Sequence, residues 1–461
     1  MPAKSTDGRW VALAVLCAGM LMIVLDATVV NVALPSIQSD LGFSQSDLAW
    51  VVNAYMITFG GLLLLAGRLG DLIGSKRVFV AGIAVFTLAS LLCGASISRE
   101  MLVAARFLQG VGGAMASAVI LSVIVIMFED SHDRAKAMNM FSFTASAGGS
   151  IGLLVGGALT QAANWHWVFL VNIPIGIVVL VLANRVLAPG TALGLRAGAD
   201  ALGAFLITAS LMLAVYAVVE IPVARATSPQ TLLTGTLALA LFAAFIARQA
   251  MAAKPLLPLG VFRNRNLSGS NVLQVLLVAG LYGFFFLDSL YLRQQLHYSA
   301  FTTGLAFLPI TIAIGALSLG WSTHLVTHFG ARNVIVAGVS AAAAGLAMSA
   351  LAPLSANYAT IFPVMVLLGV GLGVSFPSLM MFAMSSATPS DSGLISGLTN
   401  TTAEVGGALG LAILATVASS AGYHVAFGVA AAFLVAASLI AATVLEPEAL
   451  EEPQAEPITA A

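Results

Sequence analysis

Charge is what this chain has least of. Only 8% of its 461 residues are Asp, Glu, Lys or Arg, against about 25% in a soluble protein. So little charge leaves no means of coating the molecule for water, which excludes a freely soluble domain. A formal net charge of −1 gives no basic surface for nucleic acid, and none is expected as a partner. The two cysteines, Cys17 and Cys93, both fall in apolar runs, so no disulfide framework, CxxC pair or Cys/His metal cluster is present. There is also no HExxH, no nucleophile elbow and no phosphate-binding Gly loop ahead of a Lys. An enzyme is therefore not expected, and neither is a cofactor or a metal.

What the chain does have is apolar length. Hydrophobic residues make up 60% of it, and the mean hydropathy is +1.02. About 20 mostly apolar residues cross a bilayer as a helix. Fourteen such runs are predicted, near 10–33, 48–67, 77–97, 102–127, 137–161, 166–187, 201–220, 231–250, 268–290, 302–325, 333–352, 358–383, 392–417 and 424–445. They fall into groups of six, two and six. The N-terminal MPAKSTDGRW leads into a run of full span length with no A-x-A site, so a retained first helix is expected rather than a cleaved leader.

Basic residues favour cytoplasmic loops. With both termini inside, 14 of the 18 Lys and Arg fall on the cytoplasmic side, and only Arg99, Arg225 and Arg293 fall outside. The remaining one, Arg106, lies within a span. An odd span count would scramble this asymmetry. A multi-pass protein of the cell membrane with both termini cytoplasmic is the expectation, surrounded by lipid and monomeric.

GSKRVFVAG (74–82) and GARNVIVAG (330–338) repeat one another where the second helix of each six-span set hands over to the third. Two related halves in one chain predict a transport site between them. The organisation read from this is a bundle at 1–187, two additional helices with linkers at 188–266, a second bundle at 267–445, and a disordered acidic cytoplasmic tail at 446–461.

The loop GRLGDLIGSKRVF (67–79) resembles the motif between helices 2 and 3 of the major facilitator superfamily, through Gly67, Asp71, Gly74, Lys76 and Arg77. LDATVVNVALP (25–35), RFLQGVGGA (106–114), NWHWVFLVNIPIG (164–176) and PLLPLGVFRNR (255–265) resemble the fourteen-span drug:proton antiporters of that superfamily, the EmrB/QacA type. The resemblance implies an all-α polytopic fold of two six-helix bundles plus two extra helices. It also implies proton-coupled export of amphipathic, cationic small molecules by alternating access. A dedicated exporter of one self-made metabolite or lipid, with loose or no proton coupling, stays open, as do a passive channel, a sensor and an importer.

Three carboxylates lie within spans, Asp26, Asp288 and Glu404, against the single cation Arg106. An ionisable group in a membrane helix costs roughly 2.5–3.5 kcal/mol on insertion scales, so each is a functional candidate. Asp26 and Arg106 are read as a proton-handling pair, with a static ion pair as the alternative. Asp288 and Glu404 are read as proton-coupling and cation-recognising groups, with an Asp288–Arg293 pair at the rim as the alternative for the former. Met22, Asn53, Tyr55, Phe284 and Phe285 are candidates for an apolar pocket wall with few polar handles.

Gating is assigned to Gly67, Asp71, Lys76 and Arg77, and to Gly148, Gly152, Gly156 and Gly157 of GGSIGLLVGG. The last stretch keeps the glycines of the antiporter motif, but Leu153 stands where its proline belongs. Glycines four apart make a smooth face for close helix packing, while the proline kink is gone.

Overall fold

The computed structural model describes residues 6–446, apart from 129, 190–191, 195–198, 222–225, 318–320, 353–356 and 385–391. The described part is all helix and connecting turn. A lipid-embedded backbone has to satisfy its polar groups within the segment, and a helix does so. The first bundle holds α1 (Thr6–Leu41), α2 (Trp50–Ile73), α3 (Ser75–Gly94), α4 (Arg99–Met127), α5 (Ser131–Ala162), the short α6 (Trp167–Leu170) and α7 (Asn172–Val186). Two further helices follow, α8 (Ala201–Val219) and α9 (Pro229–Met251). The second bundle comprises α10 (Arg265–Gln294), α11 (Ala300–Ala306), α12 (Leu308–Ala316), α13 (Ser322–Phe329), α14 (Ala331–Leu351), α15 (Tyr358–Met384), α16 (Ser392–Ala421) and α17 (Tyr423–Thr443). The acidic tail expected to be disordered lies outside the described residues, save Glu446.

Among the described residues, twelve helices are long and apolar enough to cross a membrane. Two of the fourteen expected spans, 137–161 and 302–325, are not among the twelve; the described apolar stretches there are Ile151–Ala162 and Ala300–Ala316. The helix α5 itself runs unbroken over Ser131–Ala162, with the polar sequence SHDRAKAMN confined to its first turns. The expected span 302–325 is divided: α11 stops at Ala306, and Pro309 sits in the first turn of α12. A proline is accepted there because that turn's N–H has no intrahelical partner in any case.

The internal repeat is real in three dimensions. Gly74 and Gly330 both join helices with positive φ, 97° and 80°, a conformation that L side chains rarely adopt. Two residues on, Lys76 Nζ donates to Asn184 O (2.8 Å) and Leu187 O (2.6 Å) at the end of α7. Arg332, its counterpart, donates to Ala441 O (3.4 Å) and to Ala442 O at the end of α17. Each cation caps the exposed carbonyls of the last helix in its own bundle, where the helix dipole favours positive charge.

The bundles meet along two seams. On one, α2 lies against α16; on the other, α5 lies against α11. Helix α8 packs across the first seam and touches both α2 and α16. A Cβ on Gly61 would come within 2.5 Å of Thr208 Oγ1, and Thr416 Oγ1 donates to Val218 O at 3.0 Å. Helix α9 packs behind α8 and presents Leu233, Leu237 and Leu239 outward.

One buried carboxylate fastens this pair of helices. Asp200 caps α8 by accepting from Gly203 N (3.0 Å), and it also accepts from Gln249 Nε2 (2.9 Å) and Arg248 Nε (3.0 Å) of α9. Burial pushes the Asp200 carboxyl up, but the bonds from Gly203, Gln249 and Arg248 outweigh it and hold the carboxyl below its ordinary value. A depressed value means this stabilisation is fully present above the unfolded-state pKa and is lost as pH falls through the folded one. Asp200→Ala is expected to cost about 2 kcal/mol at neutral pH. The difference from wild type should vanish in acid. Thermal unfolding of both proteins in detergent, at neutral and at acid pH, measures it.

Candidate functional site

The polar centre of the first bundle is a closed network. Arg106 Nη1 donates to Asp26 Oδ2 at 2.5 Å, and both side chains are buried to within 1%. Asp26 Oδ1 accepts from Gln109 Nε2 (2.7 Å) and from Asn172 Nδ2 (2.9 Å). Arg106 also donates to Gln109 Oε1 (2.7 Å) and, through Nε, to Val51 O (2.8 Å). Ser90 Oγ accepts from Gln109 Nε2 at 2.9 Å. The guanidinium lies over the Tyr55 ring, 4.5 Å from its centroid. Five helices (α1, α2, α3, α4 and α7) thus meet on one ion pair.

Asp26 and Arg106 are brought together as the sequence implies. Gln109, Asn172 and Ser90 were missed. The first two stand in the quoted stretches RFLQGVGGA and NWHWVFLVNIPIG, where an amide inside an apolar run was the available signal.

Between the bundles lies a cavity of about 140 Å³, lined by Thr28 and Asn31 of α1, Gly149 and Leu153 of α5, Phe285 of α10, and Thr311 and Ile314 of α12. Drug-sized ligands occupy pockets of roughly 300–1,000 Å³, so a large cargo needs the bundles to part further. Of the expected wall residues only Phe285 lines this space. Met22 and Phe284 are fully buried, the latter packed edge-on against Phe307 at 6.4 Å. Tyr55 supports Arg106, and Asn53 is buried with neither amide atom hydrogen-bonded. Thr28, Asn31 and Thr311 supply the polar handles instead, and Leu153 fills part of the wall at the site of the missing proline.

The motif glycines set how closely helices approach here. A Cβ on Gly156 would stand 2.7 Å from Val29 O of α1, and one on Gly157 would stand 2.6 Å from Ala300 O of α11. Gly148 and Gly152 likewise face Val24 and Thr28 of α1. The α5 glycines therefore bind α5 to its own bundle, and Gly157 alone of the four meets the opposite one.

Glu404 sits on the other seam. A Cβ on Gly60 of α2 would lie 2.6 Å from Glu404 Cβ, so the two bundles touch at the base of this side chain. Its Oε2 is buried without a hydrogen-bond partner.

Asp288 stands apart from the central cavity. Its carboxyl is 3% exposed and its Oδ2 has no hydrogen-bond partner. It lines a separate pocket of about 20 Å³ inside the second bundle. The alternative of a pair with Arg293 is not formed. Arg293 donates to Ser36 Oγ at 3.2 Å, because five residues of helix turn the two side chains about 140° apart.

Contacts at the two ends of the molecule differ. At the end away from the termini, among the described residues, four hydrogen bonds join the bundles: Ser289 Oγ to Asn31 O (2.6 Å), Arg293 to Ser36, Gln294 Nε2 to Gln38 Oε1 (2.9 Å) and Phe301 N to Gln161 Oε1 (3.1 Å). At the terminal end, the expected gating residues all engage their own bundle or its linker. The Asp71 carboxylate is 3.5 Å from Arg68 and 59% exposed, and its carbonyl accepts from Leu193 N at 2.9 Å. Gly67 faces Ala118 at 4.0 Å, Lys76 caps α7, and Arg77 is exposed.

Residues 16–411 match the family model of the Major Facilitator Superfamily. The chain is 37% identical over 416 residues to the puromycin resistance protein of Streptomyces alboniger, covering 90% of this chain and 82% of that one. It is 38% identical over 422 residues to the cephamycin export protein CmcT of Amycolatopsis lactamdurans, covering 90% and 86%. The crystal structure of the nucleoside transporter NupG superposes with a TM-score of 0.66 over 95% of this chain and all of that one. At 12% identity that likeness concerns the fold alone.

Proposed function

Because this chain belongs to the Major Facilitator Superfamily, a family of membrane transporters, we propose that it exports amphipathic small molecules, cationic ones among them, in exchange for protons by alternating access. The observation that carries this reading is Glu404, a carboxyl with one bare oxygen at the seam where the bundles touch. A carboxylate there accepts a proton or a cationic group, and competition between the two couples their fluxes. The relatives named for puromycin resistance and cephamycin export support the direction. The same names favour a second reading, a dedicated exporter of one metabolite made by its own cell.

In this proposal α5 and the divided α11–α13 complete fourteen spans, as in the EmrB/QacA type. Both termini are cytoplasmic, as the basic residues favour, so the state described here is closed on the outside. Asp26 and Arg106 form the charged centre of the first bundle, and Phe285, Thr28, Asn31 and Thr311 hold part of the cargo. The protein acts as a monomer in the cell membrane. A panel of substrates in proteoliposomes with an imposed pH gradient and an internal pH dye tests the reading. Proton movement upon substrate addition is expected, and substrate flux with no proton movement would refute the coupling.

Gly67 and Asp71 touch no cargo-lining residue. Gly67→Leu and Asp71→Ala are therefore expected to slow turnover about tenfold with little change in affinity. Binding measured in detergent beside exchange rates in vesicles separates the two; a large loss of binding at normal exchange rate would contradict the placement.

A further inference from the structure

Asp288 lies one helical turn beyond Phe285, yet it faces a different space. Its carboxyl lines the pocket of about 20 Å³ within the second bundle, with Ser349, Thr360, Tyr423 and His424, all half-buried, toward the surface. A space of that size holds one water molecule. Among the described residues no ion pair is made to the carboxyl. The titratable and charged groups around it are Tyr291 and Arg293 on its own helix, Tyr358 on α15, and Tyr423 and His424 on α17, while α14 brings only the Ser349 hydroxyl. Arg293 is turned to Ser36. Tyr358 donates its hydroxyl hydrogen to Ala306 O (2.9 Å), and Tyr423 donates to Gln294 Oε1 (3.1 Å). In such surroundings an ionised carboxylate with a bare buried oxygen is disfavoured far more strongly than the protonated acid.

The same helix carries the seal. Ser289, the next residue, donates to Asn31 O across the seam, and Arg293 and Gln294 add two more of the four bonds that close this end. Parting this end would separate α10, which carries Asp288, from α1.

We propose that Asp288 is a second proton-binding site, separate from the central cavity, and that the bundles close at this end only over its protonated form. On opening, the carboxyl O–H bond breaks and the proton passes to water at that face. Before closing, a proton from the same side must return. The inference rests on the alternating-access reading above, and it ties the return of the empty carrier to proton binding from the far side.

The test is a pH series of spin–spin distances on the full chain in detergent, with labels at Ser39→Cys and Gln295→Cys, both exposed at the sealed end. Cys17 and Cys93 are buried and leave the labelling specific. In the wild type the closed population should be high in acid and fall as pH rises, the ratio of open to closed changing by about tenfold or more. Asp288→Asn, neutral at every pH and the same shape as the protonated acid, should stay closed throughout, and His424→Gln should keep the wild-type response. If Asp288→Asn does not fold, Asp288→Thr takes its place with the same expectation. A wild-type distance that ignores pH, a response that survives Asp288→Asn, or a response that follows sodium at fixed pH overturns the proposal. Proton-driven efflux with pH-independent closure would defeat this inference and leave the exporter reading standing. pH-dependent closure without proton-driven efflux would do the reverse.

Discussion

Asp26→Asn is expected to abolish uphill export and also to destabilise the protein. Asparagine has nearly the shape of the carboxylate, and it would still accept from Gln109 or Asn172 through its carbonyl oxygen. It brings no charge, however, and Arg106 would then be a buried cation held by Val51 O, Gln109 and the Tyr55 ring. Leaving one partner of a buried ion pair uncompensated costs about 3–5 kcal/mol. The double variant Asp26→Asn with Arg106→Gln removes both charges and should regain most of that stability. Export should not return with it, because the buried ionisable pair at the centre of the first bundle is gone. Melting temperatures of the three proteins, read beside pH-gradient-driven efflux at matched expression, give the answer. Undiminished efflux in Asp26→Asn would refute any coupling role for the pair. Efflux restored in the double variant would reduce the pair to a structural brace.

The sequence was most readable where lipid sets the rules. Long apolar runs interrupted by basic loops have few alternatives to spanning helices, so an all-helical membrane fold was legible in the sequence. The division of 302–325 was less legible, because Pro309 reads equally well as a kink in one helix or as the start of another. The Asp26–Arg106 pair could be found from charge scarcity alone: one cation among three carboxylates has few partners. Its amide shell could not, since Gln109 and Asn172 lie 63 residues apart in sequence and converge only when α4 and α7 both pack on α1 and α3. Asp288 misled in the opposite way. Arg293 is near it along the chain, but the helical step carries the two to different faces. The cavity wall was read from aromatic content, whereas its polar members, Thr28 and Asn31, stood unassigned in the stretch that holds Asp26.

Glu404→Gln should distinguish cargo by charge. Glutamine keeps the size and polarity of the side chain, so the contact with Gly60 and the α2–α16 seam should survive, and expression should be normal. What disappears is a negative charge with a bare oxygen at the seam. A carboxylate–cation contact at an effective dielectric near 20 is worth up to about 4 kcal/mol before desolvation. After desolvation, one or two tenfold steps in affinity are expected. A ligand with two separated cationic groups requires a second anionic contact, whereas a monovalent ligand has less to lose, so the divalent dye should weaken by about 10–100-fold and the monovalent one by only about threefold. Asp288→Asn should change neither affinity, since its pocket does not join the central cavity. If Glu404 is the group proposed to exchange proton for substrate, uphill efflux of every cargo should fall in Glu404→Gln while downhill exchange continues. Dye affinities in detergent and efflux with and without a pH gradient decide the matter. Equal losses for both dyes would mean that Glu404 does not read cargo charge, and intact gradient-driven efflux would remove it from the coupling path.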